Sequence, residues 1–346
     1  MRFDPSEPFF LAAASRAAPT TRPRRRPAVD RTMPQSPLNY RPFPSWVRLE
    51  PKPLEEGPAA FFAAGASLAL LDGILRQNPP FAGALRNRLA LKAAATSARL
   101  LRLRQDEAAL RDAEHLAASE DPGLAGRLHR LWRSLAGQHA RLDAERFGEA
   151  LRLLDLPKPG DVASLVGELR DLTAGAGDPV TLAAQAATRA YRFSPGPEGE
   201  IFAAWTADLL LAMRLGWEWP TPLLMTKILD LSLRSGRTGV RPRPNDSGWP
   251  QLAAAAYALA AGDAHALAVE LSRRAEKHLA VAPKLRAKRA SRVVELLLTE
   301  DCVAASRAAS FFGLSDRASR RLFDRLVELE AVREVSGRTA FRLNGL

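Results

Sequence analysis

The best candidate in the sequence for a catalytic or metal-binding site is the stretch QDEAALRDAEHL, residues 105–116, which combines acidic residues with a histidine. On a helix, Asp112 and His115 would share one face, with Asp106 and Glu107 one or two turns earlier. A di-iron bundle needs two helices that each carry Glu-x-x-His, and only one imperfect half is present. The flanking cations are Arg102, Arg104 and Arg111. The segment is therefore more typical of an ion-pair network, and an all-α enzyme is the third-ranked interpretation.

Other catalytic signatures are missing from the sequence. None of its five histidines has the spacing of a zinc site, and there is no His-Glu-x-x-His. The glycine-containing stretches GAGD and SGRTG lack the Gly-Lys-Ser/Thr ending of a phosphate loop. The sequence therefore predicts no metal, no cofactor and no enzymatic activity.

A helix-turn-helix pattern that could bind DNA occupies ASRAASFFGLSDRASRRLFDRL, residues 305–326. Ala309 is small enough to let two helices approach, Gly313 suits the turn, and Ser315 suits the N-cap of the second helix. Ser319 departs from the pattern, because an apolar residue is usual at its position.

The second helix of this motif, residues 316–330, has two different faces on a helical wheel. Its expected core side is formed by Ala318, Leu322, Phe323, Leu326, Val327 and Leu329. Arg317, Arg320 and Arg321 lie together on the other side, in the half of a recognition helix that meets base edges. Arginine suits this position because its guanidinium pairs with guanine or phosphate.

The segments on both sides of the motif complete a predicted winged helix. A basic helix at 284–299 precedes it, and AVREV, SGR and TAFRL predict a two-stranded hairpin, the wing. We expect double-stranded DNA as the partner. The expected contact residues are Ser315, Arg317, Ser319, Arg320, Arg321, Lys284, Lys288, Arg289, Arg292 and Arg338. Alternatively, Arg320 pairs with Asp324 and the module docks a protein partner as part of a non-enzymatic scaffold.

Composition agrees with an anionic partner but does not require one. The 346 residues carry a formal net charge of +12, with an excess of basic residues at both ends of the chain. Arginine far outnumbers lysine, which a GC-rich genome would also produce. The single cysteine, Cys302, excludes an internal disulfide. The longest uncharged apolar run is too short to span a membrane, so we expect a cytoplasmic protein with no membrane partner.

The arrangement of helix signals predicts an all-α protein in three parts. Residues 1–57 hold 11 of the 26 prolines and predict a disordered Pro/Arg-rich leader, in which 1–32 precede a plausible start at Met33. From residue 58 to 281, apolar residues recur at helical spacing between breaks and predict an irregular multi-helix bundle. Aspartates in DPGLAG, LDAERFGEAL and GDPVTLAAQA mark helix starts. Residues 282–346 form the winged helix-turn-helix, which we expect to fold alone. The oligomeric state is not predicted.

Several segments resemble a family of uncharacterised proteins from alphaproteobacteria, catalogued as a domain of unknown function. These segments are FAAGASLALLDGILRQNPPFAGALRNRLALKAAATSARL, RQDEAALRDAEHL, APKLRAKRASRVVELLL and GLSDRASRRLFDRLVELEAVREVSGRTAFRL. The resemblance covers roughly residues 44–346. It implies a bacterial cytoplasm and a C-terminal winged helix, and it brings no activity with it.

Overall fold

The part of the chain that the structure describes is mostly helical, as the sequence predicts. The structure is a computed structural model. It describes residues 40, 43–47, 58–115, 122–157, 160–234, 239–281, 288–300, 302–335 and 342–345. These residues all belong to one compact unit, Leu38–Leu346. Nearly all of the predicted leader, 1–57, lies outside the described residues.

Ten α-helices precede the C-terminal module in the described residues. They are α1 (Pro58–Leu75), α2 (Ala82–Leu100), α3 (Glu107–His115), α4 (Gly123–Ala136), α5 (Ala144–Leu153), α6 (Val162–Ala174), α7 (Pro179–Phe193), α8 (Pro197–Leu215), α9 (Leu224–Lys227) and α10 (Trp249–Val281). The C-terminal module contains α11 (Lys288–Thr299), β1 (Cys302–Ala304), α12 (Ala305–Phe312), α13 (Asp316–Glu328), β2 (Arg333–Glu334) and β3 (Leu343–Gly345).

Aspartate caps start α5 and α7, as the sequence predicts, and also α6, whereas the predicted Asp121 before α4 lies outside the described residues. The Asp143 side chain accepts a hydrogen bond from the Glu145 amide at the start of α5. Asp178 accepts from the amides of Val180 and Thr181 at the start of α7. Asp161 caps α6 in the same way. Each cap satisfies amides that have no partner within their own helix.

The centre of the bundle is formed by the helix α8, which is enclosed on every side. All residues of α8 from Gly199 to Ala212 are buried, and α7 packs along this helix. The long helix α10 packs against α1 and α7. Alanine occupies many of the contact positions, so the helix axes can approach closely.

The helix α10 is longer than the sequence predicts. Apolar spacing indicates two helices, 249–261 and 263–281, but Gly262 and Asp263 lie within one continuous helix of 33 residues. Neighbouring helices pack along it, which offsets the cost of a glycine within a helix. Among the described residues, α1 and α10 are long and apolar enough to cross a membrane. Most of the apolar segment of α10 is buried in the protein, so length and composition alone do not identify a span.

The C-terminal module has its own core and a three-stranded antiparallel sheet. The strand order is β1-β3-β2, and β3 pairs with both β1 and β2, whereas the sequence predicted a hairpin of two strands only. Val293, Phe323 and Leu326 belong to the core of the module. Helix α11 lies between the two cores, because Leu297 packs into the module and the adjacent Leu298 packs into the bundle.

Candidate functional site

The turn between α12 and α13 has the local geometry that the sequence predicts. Gly313 ends α12 in the left-handed conformation, with φ 60° and ψ 40°. A side chain would be strained there, and glycine is not. The Ser315 hydroxyl accepts from the Ala318 amide at 3.2 Å and caps α13. The turn therefore fixes the direction in which α13 leaves α12.

Ser319 is part of the contact between the two helices and is not a surface residue. It is fully buried, and its hydroxyl donates a hydrogen bond of 2.6 Å to the Ala305 carbonyl oxygen. This bond satisfies a polar group at a position where an apolar residue is usual. Ser319 was predicted to contact DNA. In the structure this side chain is enclosed between α12 and α13.

Three predicted contact residues lie together on the exposed side of α13. Arg317, Arg320 and Arg321 are exposed, and none of them forms an ion pair with another described residue. In particular, the alternative pair of Arg320 with Asp324 is not formed. The guanidinium groups therefore keep their donors available to an external acceptor.

Acidic residues also lie along α13, mainly in its second half. Asp316 and Asp324 are exposed, and Glu328 accepts a hydrogen bond of 2.8 Å from Arg325. The positive charge of the helix is consequently concentrated in the half that follows the turn. Two side chains assigned to the core of the module are exposed instead, namely Ala318 and Val327.

Three of the remaining predicted contacts belong to α11. Lys288 and Arg289 lie in the first turn of α11, and Arg292 is exposed on the same helix. Lys284 and Arg338 lie outside the described residues. The structure therefore places Arg292 at the surface.

Contacts between the bundle and the module hold the module in place, and the sequence did not predict them. Arg133 on α4 forms an ion pair of 2.6 Å with Glu300, which also lies 3.6 Å from Arg307 on α12. An Arg111 guanidinium nitrogen donates to the carbonyl oxygen of Val335, next to β2. Arg133 and Glu300 are 167 residues apart, and Arg111 and Val335 are 224 residues apart, so no local sequence pattern predicts these contacts.

The fully buried His278, near the end of α10, also links the two cores. Its Nδ1 is 3.2 Å from the Ala331 carbonyl oxygen, and its Nε2 is 3.1 Å from the Val294 carbonyl oxygen. Burial lowers the pKa of His278, whereas the two carbonyl groups act in the opposite direction. A neutral imidazole can donate to only one of them.

The acidic segment in front of His115 has a structural role in α3. The Asp106 carboxylate accepts from the Ala109 amide at 2.8 Å and caps the helix. Asp112 is buried, and the neighbouring Arg111 reaches the C-terminal module. Within the described residues, no group of three or more histidine, cysteine, aspartate or glutamate side chains could hold a metal ion. The proposal of an enzyme at this segment gains no support.

Comparison with known proteins identifies the family. A model for the family DUF1403, described as a protein of unknown function, matches residues 35–346. Curated proteins give no match. The match covers the bundle and the C-terminal module and agrees with the resemblance found in the sequence. The chain therefore belongs to the DUF1403 family.

Proposed function

We propose that residues 282–346 form a winged helix that binds double-stranded DNA, with α13 as the recognition helix. The observation that carries the proposal is the exposure of Arg317, Arg320 and Arg321 just after the turn, without ion pairs to other described residues. Arginine at this position can bind guanine O6 and N7 or a phosphate oxygen.

The order of elements supports this assignment. The module runs α11, β1, α12, α13, β2 and β3 along the chain, so three helices are followed by two strands of a small antiparallel sheet. In a winged helix the third helix enters the major groove, and the loop between the last two strands lies beside it. Arg338 falls in this loop in the sequence and is proposed as a phosphate contact.

The charge distribution also favours DNA. The basic half of α13 follows the turn, and Arg292 adds an exposed cation on α11. Phosphate contacts by such residues release counterions and make binding strongly dependent on salt. We propose a bacterial cytoplasmic protein that acts as a transcriptional regulator or as a maintenance factor of a mobile element.

The test is fluorescence anisotropy of the full chain with duplexes selected from a random pool. The salt concentration is varied from about 50 to about 200 mM. The test variant replaces Arg317, Arg320 and Arg321 by alanine. The control variant replaces Arg104, Arg152 and Arg170 by alanine. These arginines are exposed on the helical bundle, so the control removes the same charge as the test variant.

We expect a steep loss of wild-type affinity with salt and at least about tenfold weaker binding by the test variant. The control should stay close to wild type. Equal binding by the two triple variants, or no duplex binding at low salt, would contradict the proposal.

A protein-docking function is the second candidate, and one exposed aromatic residue favours it. Phe311 is 70% exposed at the end of α12, with its ring 5.0 Å from that of Phe312. Exposed aromatic side chains are common at the centres of protein interfaces. If Phe311→Ala abolishes binding of a protein partner and the triple arginine variant still binds that partner, docking replaces DNA binding as the proposed activity.

A further inference from the structure

The helical bundle contains a cavity whose walls combine aromatic side chains with a cation. Its lining residues are far from α13 along the chain. The cavity has a volume of about 260 Å³ and lies between the end of α1, the first half of α2 and the loop after α8. Its lining includes Arg76, Arg86, Trp217, Glu218 and Trp219. This volume is below the range of roughly 300–1,000 Å³ for drug-sized ligands, so only a small molecule would fit.

One wall of the cavity is fixed by hydrogen bonds. Trp217 is 6% exposed, and its Nε1 donates to Asp72 Oδ1 at 2.7 Å. Arg76 donates to the other Asp72 oxygen at 2.6 Å and to the Leu215 carbonyl oxygen at 2.6 Å. The charge of Arg76 is thus already paired with Asp72. The indole of Trp217 is held in place as an apolar surface.

Arg86, unlike Arg76, forms no ion pair with another described residue. Its guanidinium carbon lies 5.5 Å from the ring centroid of Trp219, within the range of a cation–π contact. Its Nε is buried and has no hydrogen-bond partner among the described residues. Burial lowers the pKa of Arg86, and the charge of Glu218 opposes this effect. Arg86 therefore lies in a partly desolvated position, and its guanidinium forms no hydrogen bond or ion pair with another described residue.

The carboxylate of Glu218 does not supply the missing acceptor. It lies 3.6 Å from His139 Nδ1 and is 63% exposed. The rings of His139 and Trp219 are stacked with centroids 4.1 Å apart, which holds Trp219 in place. Trp219 is half-buried and lines this cavity.

We infer that this cavity binds a small aromatic monocarboxylate, with the carboxylate on Arg86 and the ring against the indoles of Trp217 and Trp219. A guanidinium binds a carboxylate through two parallel hydrogen bonds, and a flat ring matches indole walls. A phosphate dianion fits less well, because Glu218 lines the same space and Arg76 is already paired. The inference goes beyond the proposed DNA binding and does not depend on it.

The test uses benzoate as the probe and benzamide as its uncharged counterpart. Binding to the full chain is measured by isothermal titration calorimetry and by ligand-observed NMR. We expect saturable benzoate binding with a dissociation constant of about 0.1–1 mM. Benzamide should bind about tenfold or more weakly, because it lacks the charge. Inorganic phosphate should not compete.

Variants assign the binding to this cavity. Arg86→Gln should weaken benzoate binding about tenfold to a hundredfold, and Arg170→Gln, at an exposed site on α6, should leave it unchanged. Arg86→Lys keeps the charge without the planar group and should give an intermediate loss, which serves as the test if Arg86→Gln does not fold. Absence of saturable binding, equal binding of benzoate and benzamide, or unchanged binding by both Arg86 variants overturns the inference.

Discussion

His278 on α10 lies with Nδ1 3.2 Å from the carbonyl oxygen of Ala331, and this contact joins the bundle to the segment before β2. The other ring nitrogen, Nε2, faces the Val294 carbonyl oxygen on α11 at 3.1 Å. One side chain thus contacts two elements of the C-terminal module. The imidazole therefore contributes to the packing of that module against α10.

Acid should destabilise the protein through His278. Burial lowers the pKa of His278 in the folded state below its ordinary value of 6.5. As the pH falls through 6.5, the unfolded chain therefore takes up a proton that the folded chain does not, and the free energy of unfolding decreases. His278→Gln should make the free energy of unfolding less dependent on pH between about pH 7 and pH 5. Urea denaturation at several pH values measures this.

Part of the pH dependence should survive in that variant, because burial also lowers the pKa of His265. The loss of the buried imidazole itself should cost about 1–3 kcal/mol at pH 8. An unchanged slope in His278→Gln would show that this histidine titrates alike in the folded and unfolded chains.

Asp208 should produce a pH dependence of the opposite sign. Its carboxylate on α8 is buried, and burial raises its pKa to about 7 although the amides of Leu223 and Leu224 donate to it. Between about pH 4 and pH 7, the folded chain holds a proton that the unfolded chain releases. This contribution to stability is present at low pH and is lost as the pH rises through 7.

Asp208→Asn removes the titrating group, so the free energy of unfolding should rise more steeply with pH than in wild type over this interval. The difference between the two curves should reach a few kcal/mol, at about 1.4 kcal/mol per pKa unit. The slope is the measured quantity, because the altered hydrogen bonds of asparagine shift the whole curve by a constant. A variant curve parallel to that of wild type would contradict the shifted pKa.

Two glycines in helices should respond to alanine with opposite signs. A Cβ at Gly199, in the first turn of α8, would lie 1.7 Å from the Ser194 carbonyl oxygen. Gly199→Ala should therefore destabilise the protein by about 1–3 kcal/mol. A Cβ at Gly65, in the middle of α1, would meet no atom within 4 Å. Gly65→Ala should stabilise by about 0.5–1 kcal/mol. Thermal melting of both variants checks the pair, and stabilisation by Gly199→Ala would refute the close contact.

On DNA, Arg320 and the basic residues of α11 should differ in sequence dependence. Arg320→Ala should cost about 1–3 kcal/mol on a preferred sequence and relax discrimination at one base pair. Lys288→Ala and Arg289→Ala should weaken binding similarly on all sequences and lower the salt slope by about one. Anisotropy on matched preferred and scrambled duplexes separates the two effects. If Arg320→Ala lowers the affinity equally for every duplex, Arg320 contacts phosphate and not a base.

The sequence by itself determined the features that depend on short stretches of chain. Apolar spacing within one or two turns predicted the helices, and the aspartate before α5 and the one before α7 were read correctly as caps. Gly313 and Ser315 likewise indicated the turn before α13. These signals are local because helix hydrogen bonds join residues only four positions apart.

Only the tertiary structure decided what depends on residues distant in the chain. The strand β1, with the sequence CVA, carries no alternating pattern and exists because it pairs with β3 about forty residues later. Ser319 became a buried donor because the Ala305 carbonyl oxygen lies opposite it. The boundary predicted at residue 282 separates Val281 from the C-terminal core to which it belongs, and His278 from its contact with Ala331. Arg86 and Trp219 are 133 residues apart, and only the packing of α2 against the loop after α8 brings them into contact. Such contacts are set by how whole helices pack, which no local window of sequence specifies.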